Sequence, residues 1–269
     1  MMRNIPGLAT IARLWRAAKP TRKQFDLEAA RTGMDKTLTT LGDTAWYLAP
    51  YLKPDRIKPG ERSLHIGSGL SFVPFAEAAL GLEVVATECP AELDGLFRVK
   101  RAFSQAATPE GLDLSRAKIV GLDLLGGLTE FPPNHFDHIN IQNVLNFLPF
   151  IQRVYARYGI QNFDQYEIIK IVLIIKILSR LKTGGTITSG DDWGETHLYL
   201  GELSFYLSNK DPEYRLHHLE HPAIAEALQE TGLSHLQATM ISEEGEIETP
   251  TEVDPFIWSG GAIFRIQKN

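Results

Sequence analysis

The sequence predicts an α/β protein built on an open, largely parallel sheet with helices on both faces. Three observations carry that expectation. From Arg62 onward, short apolar runs of strand length alternate with longer segments of helical pattern. The runs are separated by turn residues, such as Gly184-Gly185 and Gly232, that stop one element before the next begins. Finally, 43% hydrophobic residues in a chain of 269 can bury a substantial core.

The elements follow in order. Residues 1–61 are mostly helical in pattern, end in the loop "KPDRIKPGE", and are expected to form an N-terminal helical extension on a domain spanning 62–269. The first strand, 63–66, is the apolar part of "RSLHI" and delivers the chain to Gly67 and Gly69. A helix over 72–80 leads to a β-branched strand at 82–87, and a helix over 91–103 to a strand at 118–122. The fourth strand, 137–142, is followed by helices over 144–155 and 165–181. The second of these contains "IIKIVLIIKIL" at 168–178, interrupted by Lys170 and Lys176 and shorter than the roughly 20 residues that span a bilayer. It is apolar around most of its circumference, so one face can cover the sheet while another must meet the N-terminal helices or a second subunit of a homodimer. After Gly184-Gly185 come a strand at 186–189, helices over 196–207 and 222–231, and strands at 235–241 and 262–267, which brings the strands to seven. The 41 residues from 193 to 233 exceed what a simple connection needs, and 193–221 is expected to be a substrate cap.

Charge narrows the partners. The net charge is −6, yet residues 1–25 hold six Lys or Arg and no acid, while the rest carries 21 bases against 33 acids. Such a body repels nucleic acid, so none is expected as a partner. The stretch "IARLWRAAKPTRK" is read as a helix packing Ile11, Leu14 and Trp15 on that acidic body; a membrane-surface helix or a targeting peptide is the less favoured reading. Cys89 is the single cysteine, which excludes an intrachain disulfide and a cysteine zinc cluster and fits a reducing, cytoplasmic setting.

The chemistry begins at "RSLHIGSGLSF". A strand ends at two glycines whose missing side chains let the backbone approach a ligand, and the helix opening after Ser71 offers free amides to an anionic group. The spacing is not that of a dinucleotide fingerprint, because Phe72 stands where that motif needs a small residue. "EVVATECP" is a second strand ending in Glu88, and "GLDLL" ends a third at Asp123. "HFDHINIQNVLNFLP" and "ILSRLKTGGTITSGDD" supply the fourth and fifth. In order and spacing these segments, 62–192, resemble the class I S-adenosylmethionine-dependent methyltransferases.

The resemblance implies a three-layer α-β-α sandwich with a seven-stranded, mostly parallel, Rossmann-like sheet whose last strand, "GGAIFRIQK", runs antiparallel. It implies S-adenosylmethionine as cofactor, with His65, Gly67, Ser68 and Gly69 at the loop, Glu88 on the ribose, Asp123 and Leu124 at the adenine, and Gln142 and Asn143 near the transferred methyl. Two departures stand out: His65 replaces the family's usual acid, and Ser71 its third glycine. They leave open a fold retained as a binding or scaffold protein without catalysis.

Methyl transfer to a hydroxyl or amine needs the acceptor positioned and its proton removed. Asp191, Asp192 and His197 are the expected catalytic groups at the end of the fifth strand, with Tyr199 an equally placed candidate. In metal-assisted relatives an acid also ends the fourth strand, where this chain has Gln142-Asn143, so no metal is expected. His217, His218 and His221 lack a zinc-pair spacing and read as lid or surface histidines, one of which could be the base. The absence of an "NPPY" signature argues against adenine and glutamine N-methyltransferases. The expected activity is methyl transfer to an oxygen or nitrogen of a small molecule.

Overall fold

The structure, a computed structural model, describes residues 58–69, 71, 73–107, 111, 113–141, 144–145, 148–189, 200, 203–204, 207, 221–241, 246–248 and 262–269. Most of the expected N-terminal extension and substrate cap lies outside these residues. The chain divides into two compact units, Met1–Leu122 and Asp123–Asn269.

In the first unit, β1 (Arg62–Ile66), β2 (Glu83–Glu88) and β3 (Ala117–Gly121) lie in the order β3-β2-β1, all parallel. Parallel strands need crossovers, supplied here by α1 (Val73–Ala79) and α2 (Leu93–Ala107). Leu64, Ile66, Val84 and Ala86 are buried, as are Phe75 and Ala76 of α1 and Leu96 and Val99 of α2. β1 is buried on both faces, with Leu64 and Ile66 on one and Ser63 and His65 on the other. α1 tolerates Pro74 because a first-turn residue has no intrahelical N–H bond to lose.

The second unit contains β4 (Phe136–Ile141), α3 (Leu148–Tyr158), α4 (Phe163–Arg180), β5 (Leu181–Ser189), α5 (Pro222–Thr231), β6 (Leu236–Ile241), β7 (Glu246–Glu248) and β8 (Ala262–Lys268). β5 pairs parallel with β4 and antiparallel with β8; β8 then pairs antiparallel with β6, and β6 with β7. The fold is thus the expected one: α/β, a mostly parallel sheet with the last strand reversed, flanked by helices. All seven expected strands are present; three-residue β7 is an addition too short to show a periodicity. Ile187, Phe264, Ile266 and Ala238 are buried on one face of this half, and Thr186 and Arg265 pair on the other.

Boundaries moved where local chemistry decided them. α4 starts at Phe163, not 165, because Asn162 caps it: its Oδ1 accepts from Gln165 N at 3.0 Å, and Gln165 Oε1 accepts from Gln161 N at 3.0 Å. α3 begins at Leu148, four residues after the expected 144. β5 begins at Leu181 and runs through Gly184-Gly185, where the register against β4 jumps from Phe136↔Leu181 to His138↔Thr186. The glycine pair is therefore an irregularity inside a strand rather than a turn before it. A Cβ on Gly185 would lie 2.7 Å from the Asp137 carbonyl oxygen.

α4 is buried on almost every side, including Ile171, Leu173, Ile174, Ile175, Ile177 and Leu178. It packs on β5, α3 and especially α5, whose Glu230 reaches Lys176 at 3.5 Å. α5 therefore supplies part of the cover of α4; the N-terminal helices expected on this helix lie outside the described residues. Lys170, 1% exposed, is accommodated by Glu167 at 2.6 Å and by the rings of Tyr166 and Phe163 at 5.1 and 5.4 Å. Leu200, Leu203, Ser204 and Leu207, the described residues of the expected helix at 196–207, are helical. The Ser204 hydroxyl donates to the Leu236 carbonyl, which ties that helix to β6. Among the described residues no helix is long and apolar enough to cross a membrane.

Candidate functional site

The loop after β1 is built by left-handed backbone at Gly67 (φ 65°) and Gly69 (φ 52°), conformations that cost any residue with a Cβ. The strands below hold it: Ser68 N donates to the Thr87 carbonyl at 2.8 Å, and Thr87 Oγ1 donates to the His65 carbonyl at 2.8 Å. Ser71 Oγ accepts from Val73 N at 3.2 Å where α1 starts. Glu88 closes the arrangement from the end of β2. Its Oε2 accepts from Gly69 N at 2.6 Å and its Oε1 from Cys89 N at 2.8 Å. Ser68 Oγ is buried and has no hydrogen-bond partner among the described residues. Buried hydroxyls are nearly always satisfied, so an unpaired one in a glycine loop fits a site completed by a bound group.

His65 turns inward from β1 toward α1. The residue is 5% exposed, and its Nε2 lies 2.7 Å from Oε2 of Glu77, itself fully buried on α1, and 3.3 Å from Ser63 Oγ. A buried carboxylate is tolerable only with a close hydrogen-bonding or charged partner, and the imidazole provides one. The pair links β1 to α1, the two elements that flank the loop. The sequence reading missed Glu77; its signal was a carboxylate as the one ionisable residue in the apolar helix "VPFAEAA".

In the second unit, Asp123 caps the 3-10 turn Leu124–Gly126, its Oδ1 accepting from Leu125 N at 3.2 Å. Its Oδ2 accepts from Arg157 Nη1 of α3 at 2.7 Å. Leu124 is buried and anchors the turn. Tyr158 donates its hydroxyl to the Leu125 carbonyl at 3.3 Å. Arg157 was also missed by the sequence reading, because nothing local predicts that α3 ends beside this turn.

Gln142, Asn143, Asp191, Asp192, His197, Tyr199, His217 and His218 lie outside the described residues. His221 does not: its Nδ1 accepts from Ala223 N at 3.2 Å, so it is the N-cap of α5. Among the described residues no three His, Cys, Asp or Glu side chains group to hold a metal ion.

No family model and no curated protein sequence matches the chain. Solved structures similar to it include proteins described as S-adenosylmethionine-dependent methyltransferases, alongside the [4+2]-cyclase SpnF. One is a candidate S-adenosyl-L-methionine-dependent methyltransferase from Methanococcus maripaludis, 16% identical over 93% of this chain and 94% of that one, with a TM-score of 0.42. Another is a TehB-like SAM-dependent methyltransferase from Corynebacterium glutamicum, 14% identical over 94% and 98%, TM-score 0.42. A third, phosphoethanolamine N-methyltransferase 1 from Haemonchus contortus, was solved with phosphoethanolamine and S-adenosylhomocysteine; it is 11% identical over 65% of this chain and 32% of its own, TM-score 0.38. Identities this low transfer no residue's role from one chain to another.

Proposed function

We propose that the chain binds S-adenosylmethionine and transfers its methyl group to an oxygen or nitrogen of a small-molecule acceptor. The observation that carries this reading is the joint placement of Glu88 and the glycine loop: the carboxylate at the end of β2 is held 2.6 Å from Gly69 N. There it presents acceptor oxygens beside backbone that has no side chain in the way. In this reading Glu88 accepts from the ribose hydroxyls, and Gly67, Ser68 and Gly69 approach the amino-acid end, with the Ser68 hydroxyl finding its missing partner. Asp123 and Leu124 hold the adenine. His65 supports the loop through Glu77. Bound S-adenosylmethionine supplies an electrophilic methyl on a sulfonium and leaves as S-adenosylhomocysteine. Gln142 and Asn143 serve as neutral hydrogen-bonding groups near the transferred methyl, and one of Asp191, Asp192 and His197 takes the acceptor's proton. Residues 193–221 cap the acceptor, the acidic body disfavours nucleic acid, and the lone cysteine suits the cytoplasm.

A second reading keeps the fold without the chemistry, as a binding or scaffold protein. It is favoured by His65, a titratable ring facing inward where the resembled family carries an acid. Calorimetric titration of the full chain with S-adenosylmethionine and S-adenosylhomocysteine separates the two. The enzyme reading expects saturable binding of both, and formation of S-adenosylhomocysteine when nucleophilic small molecules are supplied. Absence of binding at millimolar cofactor would leave only the scaffold reading.

A further inference from the structure

We infer that Arg157 is a positioning residue for the cofactor's adenine, acting through Asp123; this rests on the S-adenosylmethionine reading above. The last two residues of α3 grip the turn that follows β3 at two points. Arg157 donates to Asp123 Oδ2 at 2.7 Å, and Tyr158 donates to the Leu125 carbonyl at 3.3 Å. With Oδ1 already accepting from Leu125 N, both oxygens of Asp123 are held and the carboxylate plane is fixed. Each oxygen still has a free acceptor direction for the exocyclic amine of an adenine.

Exposure argues that the pair serves a ligand more than the fold. The side chains of Arg157 and Asp123 are 47% and 56% exposed, and ion pairs that wet add little to folding stability. What such a contact does supply is orientation: without the guanidinium, an exposed aspartate has one tether and samples rotamers that turn its second oxygen away. Arg157 also sits in the last turn of α3, where a cation complements the helix's negative end, so its placement does not depend on Asp123 alone.

The test is a double-mutant cycle read by calorimetric titration of the full chain with S-adenosylhomocysteine, with thermal melts alongside. Arg157→Ala is expected to weaken binding about three- to fivefold, the range an exposed charge-assisted contact supports. In an Asp123→Asn background, where the amide oxygen still caps Leu125 N, the same change is expected to have no effect. Arg157→Lys should recover part of the loss, since an ammonium restores the charge without the planar fork. Equal weakening in both backgrounds would make Arg157 a packing residue of α3 and overturn the inference. Tighter binding by Arg157→Ala would overturn it too, by showing that the guanidinium competes with adenine for the carboxylate. If the wild-type chain binds and Asp123→Asn binds equally well, Asp123 does not hold the adenine and the inference fails while the rest of the cofactor reading stands. A wild-type chain that does not bind at all removes both.

Discussion

Removing the imidazole of His65 should destabilise the chain far more than its place in a glycine-loop motif suggests. His65 and Glu77 have side-chain exposures of 6% and 0%, with 2.7 Å between Nε2 and Oε2, so the carboxylate is taken out of water with the ring as a direct partner. Truncating one member of such a pair typically costs about 3–5 kcal/mol, mostly because the other is left in a poorly compensated low-dielectric site. For a protein of this size that corresponds to roughly a 6–20 °C fall in melting temperature. His65→Ala and Glu77→Ala are each expected to show that loss in urea denaturation followed by circular dichroism. The double variant His65→Ala/Glu77→Ala should lose less than the sum of the two, with a coupling of about 1–3 kcal/mol. His65→Asp, which would restore the resembled family's usual residue, should be no better than Ala, because it sets a second carboxylate toward Glu77. Additive single effects, or single losses under about 1 kcal/mol, would show that the contact is incidental and that Glu77 is satisfied by its other neighbours.

Three further outcomes follow from individual contacts. Glu88→Ala should weaken S-adenosylhomocysteine binding by about 30- to 150-fold, the equivalent of a charge-assisted contact of roughly 2–3 kcal/mol, measured by calorimetry; an unchanged affinity in a folded variant would place the ribose elsewhere. Gly185→Ala should cost about 1–3 kcal/mol, since its Cβ would meet the Asp137 carbonyl at 2.7 Å and Leu181 Cδ1 at 2.9 Å; denaturation midpoints equal to wild type would mean the β4–β5 irregularity can open. Burial holds the Lys268 ammonium below its ordinary 10.5, with Asn134 Oδ1 at 2.6 Å as a neutral partner. Between that lowered value and 10.5 the unfolded chain binds more protons than the folded one, so stability rises with pH through this window. Lys268→Met should flatten the rise in melts taken from pH 7 to 10.5, and parallel curves for the two proteins would refute the assignment.

What the sequence determined by itself was the succession of elements and the place of the loop. Alternating apolar runs and helical patterns located all seven expected strands, and the glycine spacing after β1 located the backbone that turns left-handed at Gly67 and Gly69. Glu88 was legible too, because the end of a parallel strand beside such a loop is set by local chain order. These features depend on neighbours in sequence or on side-chain alternation, which one chain displays directly. Only the tertiary structure decided the partners. That the His65 ring turns to Glu77 depends on how α1 lies on β1, and that Arg157 meets Asp123 depends on where α3 ends, 34 residues further along the chain. Strand boundaries behaved likewise: the start of β5 was set by its register against β4 around Asp137, not by the glycine pair that looked like a turn. Hydrogen bonds and close approaches between residues distant in sequence are fixed by packing, and a linear pattern carries the elements that pack but not the contacts they make.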